Sequence, residues 1–173
     1  MTHTLHRFCR RPLVLGLALL LCLAACGEEN YTERLSPGTP LIAGFESYAT
    51  RAQALARLPR GAAVKVVEDS ALKPGDKRPP FSIYRVAVAG YTVCGQVGEL
   101  HLEFFNDRLL GTWFFPGDAP ACHAALAAAG QRVPGVSGNT MRVAAIDFFD
   151  RHYLMWEDAR LREQIDHWIK KYS

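Results

Sequence analysis

The stretch LEFFNDRLLGTW, Leu102–Trp113, sets two apolar and aromatic runs around an Asn-Asp-Arg turn, and a near copy, IDFFDRHYLMW, follows at Ile146–Trp156 with one residue fewer at the turn. Each copy reads as strand, Asp-Arg turn, strand. Each also follows a helical stretch earlier in the chain. Two readings fit. Aromatic hairpins are common enough to resemble one another by chance. If the echo is instead a repeat, the chain is an α+β domain of two helix-plus-antiparallel-meander units sharing one core, because neither unit could bury its sheet face alone.

Outward from these hairpins the pattern predicts the remaining elements. Ser47 caps a helix through Leu58, with Tyr48, Ala52 and Leu55 on one stripe and Pro59 and Gly61 beyond its end. Ala62–Val67 alternates as a strand, and KPGDKRPP, Lys73–Pro80, is too rich in proline for a sheet interior. Phe81–Ala89 and Val97–Phe105 read as strands. In the second, Leu100, Leu102 and Phe104 face one way and His101 and Glu103 the other, as a solvated polar face. Asp118 and Pro120 open an alanine-rich helix that Gly130 closes, and strands are predicted at Met141–Phe149 and Tyr153–Trp156. Asp158 caps a C-terminal amphipathic helix with Leu161, Ile165, Trp168 and Ile169 on one face.

The other end of the chain carries an address. Arg7, Arg10 and Arg11 precede an apolar run, Leu13–Leu23, that is shorter than the roughly 20 residues a bilayer span needs. Charge, short apolar run and small residues in that order make a secretory signal peptide. Leu23-Ala24-Ala25-Cys26 resembles the lipobox of bacterial lipoproteins. The resemblance implies cleavage after residue 25, a diacylglycerol on Cys26, and, with Gly27 rather than aspartate next, outer-membrane anchoring facing the periplasm in preference to the inner membrane. Residues 26–40 then form the acylated cysteine and a flexible tether, and residues 41–173 a periplasmic α+β domain.

Losing the three n-region arginines leaves 17 basic against 17 acidic side chains. A neutral, unclustered balance predicts neither nucleic-acid binding nor a polybasic patch for anionic lipid, so acyl chains carry membrane attachment and the protein surface need not touch lipid. Cys9 and Cys22 leave with the signal, and Cys94 and Cys122 remain in an oxidising compartment. A Cys94–Cys122 disulfide is the simplest reading. Two buried thiols, or a reactive Cys94, are the alternatives, the latter with no CxxC and no evident cation to support it.

The lipobox, the short helix Ser47–Leu58 before strands, and LHLEFFNDRL at Leu100–Leu109 resemble the SmpA/OmlA outer-membrane lipoproteins and the tandem fold of β-lactamase inhibitor proteins. The resemblance implies the fold and the address. The proline-rich insert, the two cysteines and the final helix depart from it, so no binding residue is carried over.

Catalytic patterns are missing. No GxSxG, HExxH, phosphate-binding glycine pattern or calcium loop occurs. His101 and Glu103 share a strand face but no third metal ligand is spaced to join them, and neither metal nor cofactor is predicted. Asp147, Asp150, Glu157 and Asp158 form the densest carboxylate group, with turn and cap roles that already explain Asp150 and Asp158. His123, His152 and His167 are scattered. Trp113, Phe114 and Phe115 in succession place large rings on both faces of one strand, so one set joins the core and the other lies under a helix or meets a partner. Arg108, Arg151, Tyr153 and Trp156 would cluster with Trp113 and Phe115 as a partner-binding surface if the hairpins are adjacent. The expected function is a non-enzymatic envelope module that binds an unidentified envelope protein. The alternative is a tethered inhibitor or immunity protein against a periplasmic or imported hydrolase.

Overall fold

The computed structural model describes residues 30–131, the backbone of 141–146, and residues 151–173. The predicted signal peptide, Cys26, Asp147 and Asp150 lie outside the described residues. The fold is α+β, as expected. Its strands are β1 (Val64–Ala71), β2 (Ser82–Val93), β3 (Gln96–Phe105), β4 (Arg108–Phe115), β5 (Met141–Ile146) and β6 (His152–Glu157). They form one antiparallel sheet in the order β1-β2-β3-β4-β6-β5. The helices are α1 (Arg51–Leu55), α2 (Ala119–Ala128) and α3 (Ala159–Tyr172).

The hairpins of the two echoing stretches sit side by side, because β6 pairs with β4. The units are unequal: α1 precedes a four-stranded meander, whereas α2 precedes only the β5–β6 hairpin. They share a core. Val86, Leu100, Leu102, Phe114, Leu154 and Trp156 point to the sheet face covered by Ala54 of α1 and by Cys122 and Leu126 of α2. Gly111 lets β4 and β6 approach, since a Cβ there would stand 2.6 Å from the carbonyl oxygen of Trp156.

The turn at Asn106-Asp107 has φ of 48° and 57°, the left-handed pair that a two-residue hairpin needs and that Asn and Asp tolerate. The Asn106 amide then ties the turn down, accepting from Ser82 N at 2.7 Å and donating to the carbonyls of Tyr31 and Pro80 at 2.9 and 2.8 Å. At the β2–β3 turn, Cys94 and Gly95 are also left-handed. Cys94 bonds to Cys122 of α2 across 28 residues, with Cα atoms 5.3 Å apart. The expected disulfide therefore joins the meander to the second unit.

Three expectations need correction. The first helix is shorter than Ser47–Leu58: Tyr48 has φ of 63°, which breaks the helical path, and Thr50 with Gln53 forms a capping box instead. Ser47 is buried and donates to Asp158 at 2.7 Å, so it helps fasten the start of α3, whose N-terminal amides Asp158 caps as predicted. The segment read as a tether packs onto the domain from Tyr31 onward. Tyr31 is buried with Phe105, Leu110, Leu161, Ile165 and Trp168 in a second cluster, beneath α3. Ile169, placed by periodicity on the buried face of α3, is 47% exposed.

Candidate functional site

The face of the sheet opposite the shared core is built of polar and aromatic residues. Register arranges them in rows. One row runs Glu68, Arg85, Glu103, Gly111, Glu157 from β1 to β6, the next runs Ala87, His101, Trp113, Met155, and a third pairs Glu99 with Phe115. α3 covers the end of this face near Phe105 and Leu110. Beyond it, among the described residues, the rings of Trp113, Phe115 and Tyr153 pair with one another and with His101 rather than with a helix ring.

The aromatic group is tightly made. Trp113 and Tyr153 stack with centroids 5.2 Å apart, and Phe115 lies 5.3 Å from Tyr153 and 4.8 Å from His101. Two guanidiniums bracket it: Arg85 is 4.8 Å over the Trp113 ring and Arg151 is 4.3 Å over Phe115. Trp113 and Tyr153 remain half-buried, and Arg151 is exposed.

Beneath the rings lies a polar layer that sequence patterning does not disclose. His101 and Glu103 are each only 7% exposed, which corrects the expected solvated face. The strand alternation is as predicted, but Trp113, Phe115 and α3 shut water out. His101 Nε2 is hydrogen bonded to Glu99 at 2.7 Å, and Glu99 also accepts from Arg151 at 3.1 Å. Burial lowers the His101 pKa, with Glu99 partly opposing. For Glu99 burial acts upward, yet hydrogen bonds from His101 and Arg151 outweigh it and the carboxyl is more acidic than usual.

Glu103 is the centre of an alternating charge chain. Arg85 reaches Glu68 at 2.6 Å and Glu103 at 4.0 Å, and Arg162 of α3 lies 3.9 Å from Glu103 while donating to Glu157. Burial raises the Glu103 pKa, because Arg85 and Arg162 spend their short contacts elsewhere and Glu103 Oε2 has no hydrogen-bond partner among the described residues. Arg162 is held charged by Glu157 against the cost of burial.

Of the residues expected to form a partner surface, Trp113, Phe115, Arg151 and Tyr153 are brought together. Arg108 and Trp156 are not. Trp156 is 1% exposed on the opposite face, in the shared core. Arg108 is fully buried, its guanidinium donating to the carbonyls of Tyr31, Glu33 and Phe105, and burial brings its pKa down to about 10. Beside the aromatic group an open groove of about 490 Å³ is lined by Glu99, Phe115, Asp118, Arg151 and His152, among others. Among the described residues no three metal-ligating side chains converge, and no helix is long and apolar enough to cross a membrane. Compared with protein-family models, curated proteins and solved structures, the chain matches none.

Proposed function

We propose that this chain is a lipoprotein anchored through Cys26 in the outer membrane, whose periplasmic domain binds another envelope protein through the face carrying Trp113, Phe115, Tyr153 and Arg151. The observation that carries the reading is the half-buried stack of Trp113 on Tyr153 with an exposed arginine over its neighbour Phe115. Aromatic rings held rigidly at a surface bury area on contact with little loss of side-chain freedom, and Trp, Tyr and Arg are the residues that dominate binding energies. The lipobox supports the address. The groove at His152 and Asp118 gives a partner loop somewhere to enter beside the rings.

The test is a photo-crosslinking residue at His152, which is exposed next to the rings, in the full lipidated protein in cells. A single envelope protein is expected to be captured, and Arg151→Glu is expected to reduce the capture about tenfold or more while the domain stays folded. Equal capture by the variant removes this face as the binding site. A soluble hydrolase as the captured protein would make the chain a tethered inhibitor instead.

A further inference from the structure

This inference rests on the reading of Cys26 as the lipidated residue. Four residues, 27–30, separate it from Tyr31. Tyr31 is fixed in the domain: its side chain is buried, its hydroxyl is hydrogen bonded to His167 Nδ1 at 2.8 Å, and its carbonyl accepts from Arg108. Five chain steps extend at most about 17 Å. The surface around Tyr31 therefore cannot stand far from the bilayer.

That surface is cationic. Tyr31 packs edge-on against Tyr172 in the last turn of α3. The loop at residues 73–80 is fastened to the same turn, because Arg78 donates to the Tyr172 carbonyl at 2.8 Å and Trp168 Nε1 donates to the Pro79 carbonyl at 3.0 Å. Loop and helix end together present Lys73, Lys77, Lys170 and Lys171, all exposed, which are four of the five lysines in the chain. The same two stretches also carry Asp76, whose carboxylate Arg78 binds at 2.8 Å, and Asp166 a turn further back, and the link to Cys26 carries Glu28 and Glu29. The helix dipole accounts for lysines at the end of α3. It does not account for Lys73 and Lys77, which come from a loop 90 or more residues earlier in the chain.

We propose that the face formed by loop 73–80 and the last turn of α3 rests on the anionic headgroups of the membrane that holds Cys26. Lysines dispersed along the chain are thus gathered by the fold near Tyr31, where the link to Cys26 begins. The aromatic face at Trp113 is set by this contact, since the domain cannot turn freely about a four-residue link while its lysines hold the surface.

Each lysine near an anionic surface gains about fivefold in apparent attraction, within a Debye length of about 8–10 Å. The lipidated full-length protein is reconstituted in vesicles of phosphatidylcholine alone or with about 30% phosphatidylglycerol. A membrane-impermeant amine reagent then reads each lysine by mass spectrometry. Lys73, Lys77, Lys170 and Lys171 are expected to label about fivefold more slowly on the anionic vesicles, with Lys65 of β1 unchanged, and the protection to vanish in about 1 M salt. In Lys73→Glu/Lys77→Glu protein, both changes being in an exposed loop, protection of Lys170 and Lys171 should be lost. Equal labelling on the two vesicles, or protection that survives the double substitution, overturns the proposal. Protein that fails to float with either vesicle overturns the lipid-anchor reading instead.

Discussion

Arg108 and Arg151 each follow an aspartate at the head of a strand, and each stands five residues ahead of a tryptophan. Arg108 is sealed in the interior, holding the incoming chain by its carbonyls, and Arg151 lies exposed over Phe115. Their tryptophans part company too, Trp113 on the polar-aromatic face and Trp156 in the core. A single inserted residue explains the second difference. In the first hairpin Phe104 pairs with Leu109 but Glu103 pairs with Gly111, so Leu110 is a bulge, and the bulge reverses which face every later residue of β4 meets. β6 pairs with β4 without such a shift. The same letters at the same spacing thus supply a core residue in one copy and a surface ring in the other.

Substitution at the paired tryptophans gives the widest expected gap. Trp156→Ala empties a fully enclosed core position and should cost about 4 kcal/mol in denaturant unfolding, whereas Trp113→Ala should cost about 1–2 kcal/mol. Similar losses for the two would mean that the faces are equivalent in packing and would break the comparison.

The arginines come next. Arg108→Met leaves the carbonyls of Tyr31, Glu33 and Phe105 without their donor, and a loss of about 3 kcal/mol is expected from removing charge-assisted hydrogen bonds in a buried site. Arg151→Ala should cost less than about 1 kcal/mol, because the contacts of an exposed arginine, such as its ion pair with Glu99, are made in solvent. The same unfolding curves read both. Protease should also release the segment ahead of Thr39 faster in the Arg108 variant alone.

Gly111→Ala sharpens the contrast at the seam of the two hairpins. The added carbon would press on Trp156 O at 2.6 Å and on Glu157, so β4 and β6 must separate, at about 2 kcal/mol. Its counterpart in the echo is Leu154, a full core side chain. A thermal midpoint unchanged by Gly111→Ala would show that β4 and β6 have slack that the structure does not display.

Much of this fold is legible in the chain because the signals are local. Two-residue alternation places Leu100, Leu102 and Phe104 together, Asp158 announces α3, and Cys94 and Cys122 are the two cysteines outside the N-terminal 26 residues. What escapes is set by long-range partners. Arg108 looks like a surface residue until Tyr31 and Glu33, more than 70 positions away, bring their carbonyls to it. The one local mark of the bulge at Leu110 is its neighbour Gly111, where the second copy has Leu154, and the spacing of Arg and Trp alone does not tell the faces of Trp113 and Trp156 apart. Four of the six expected site residues come together for a simple reason: Trp113 and Phe115 are two apart on β4, and Arg151 and Tyr153 are two apart at the start of β6, so each pair stays together whatever the register.

Glu103 lies one row from Trp113 on this same face, and it asks whether the polar layer is held together by charge or merely tolerated. A carboxyl whose native pKa is raised above its ordinary value of 4.5 keeps its proton in the folded protein after the unfolded chain has lost it. Folding stability therefore falls as pH rises from about 4.5 through the raised value, and the full penalty stands above it. Glu103→Gln keeps the shape, removes the charge, and leaves Arg85 with Glu68 and Arg162 with Glu157. At pH 7 the variant should exceed the parent by about 1 kcal/mol, with the advantage gone near pH 4. His101, whose lowered pKa makes the domain lose stability as pH drops below its ordinary 6.5, affects parent and variant alike and cancels in the difference. A variant that is instead weaker at pH 7, and increasingly so as pH rises, would mean that Arg85 and Arg162 stabilise the Glu103 charge from 4.0 and 3.9 Å. The polar face would then be an ion-pair network that fastens α3 to the sheet, and the aromatic rings above it would stand on a foundation sensitive to salt.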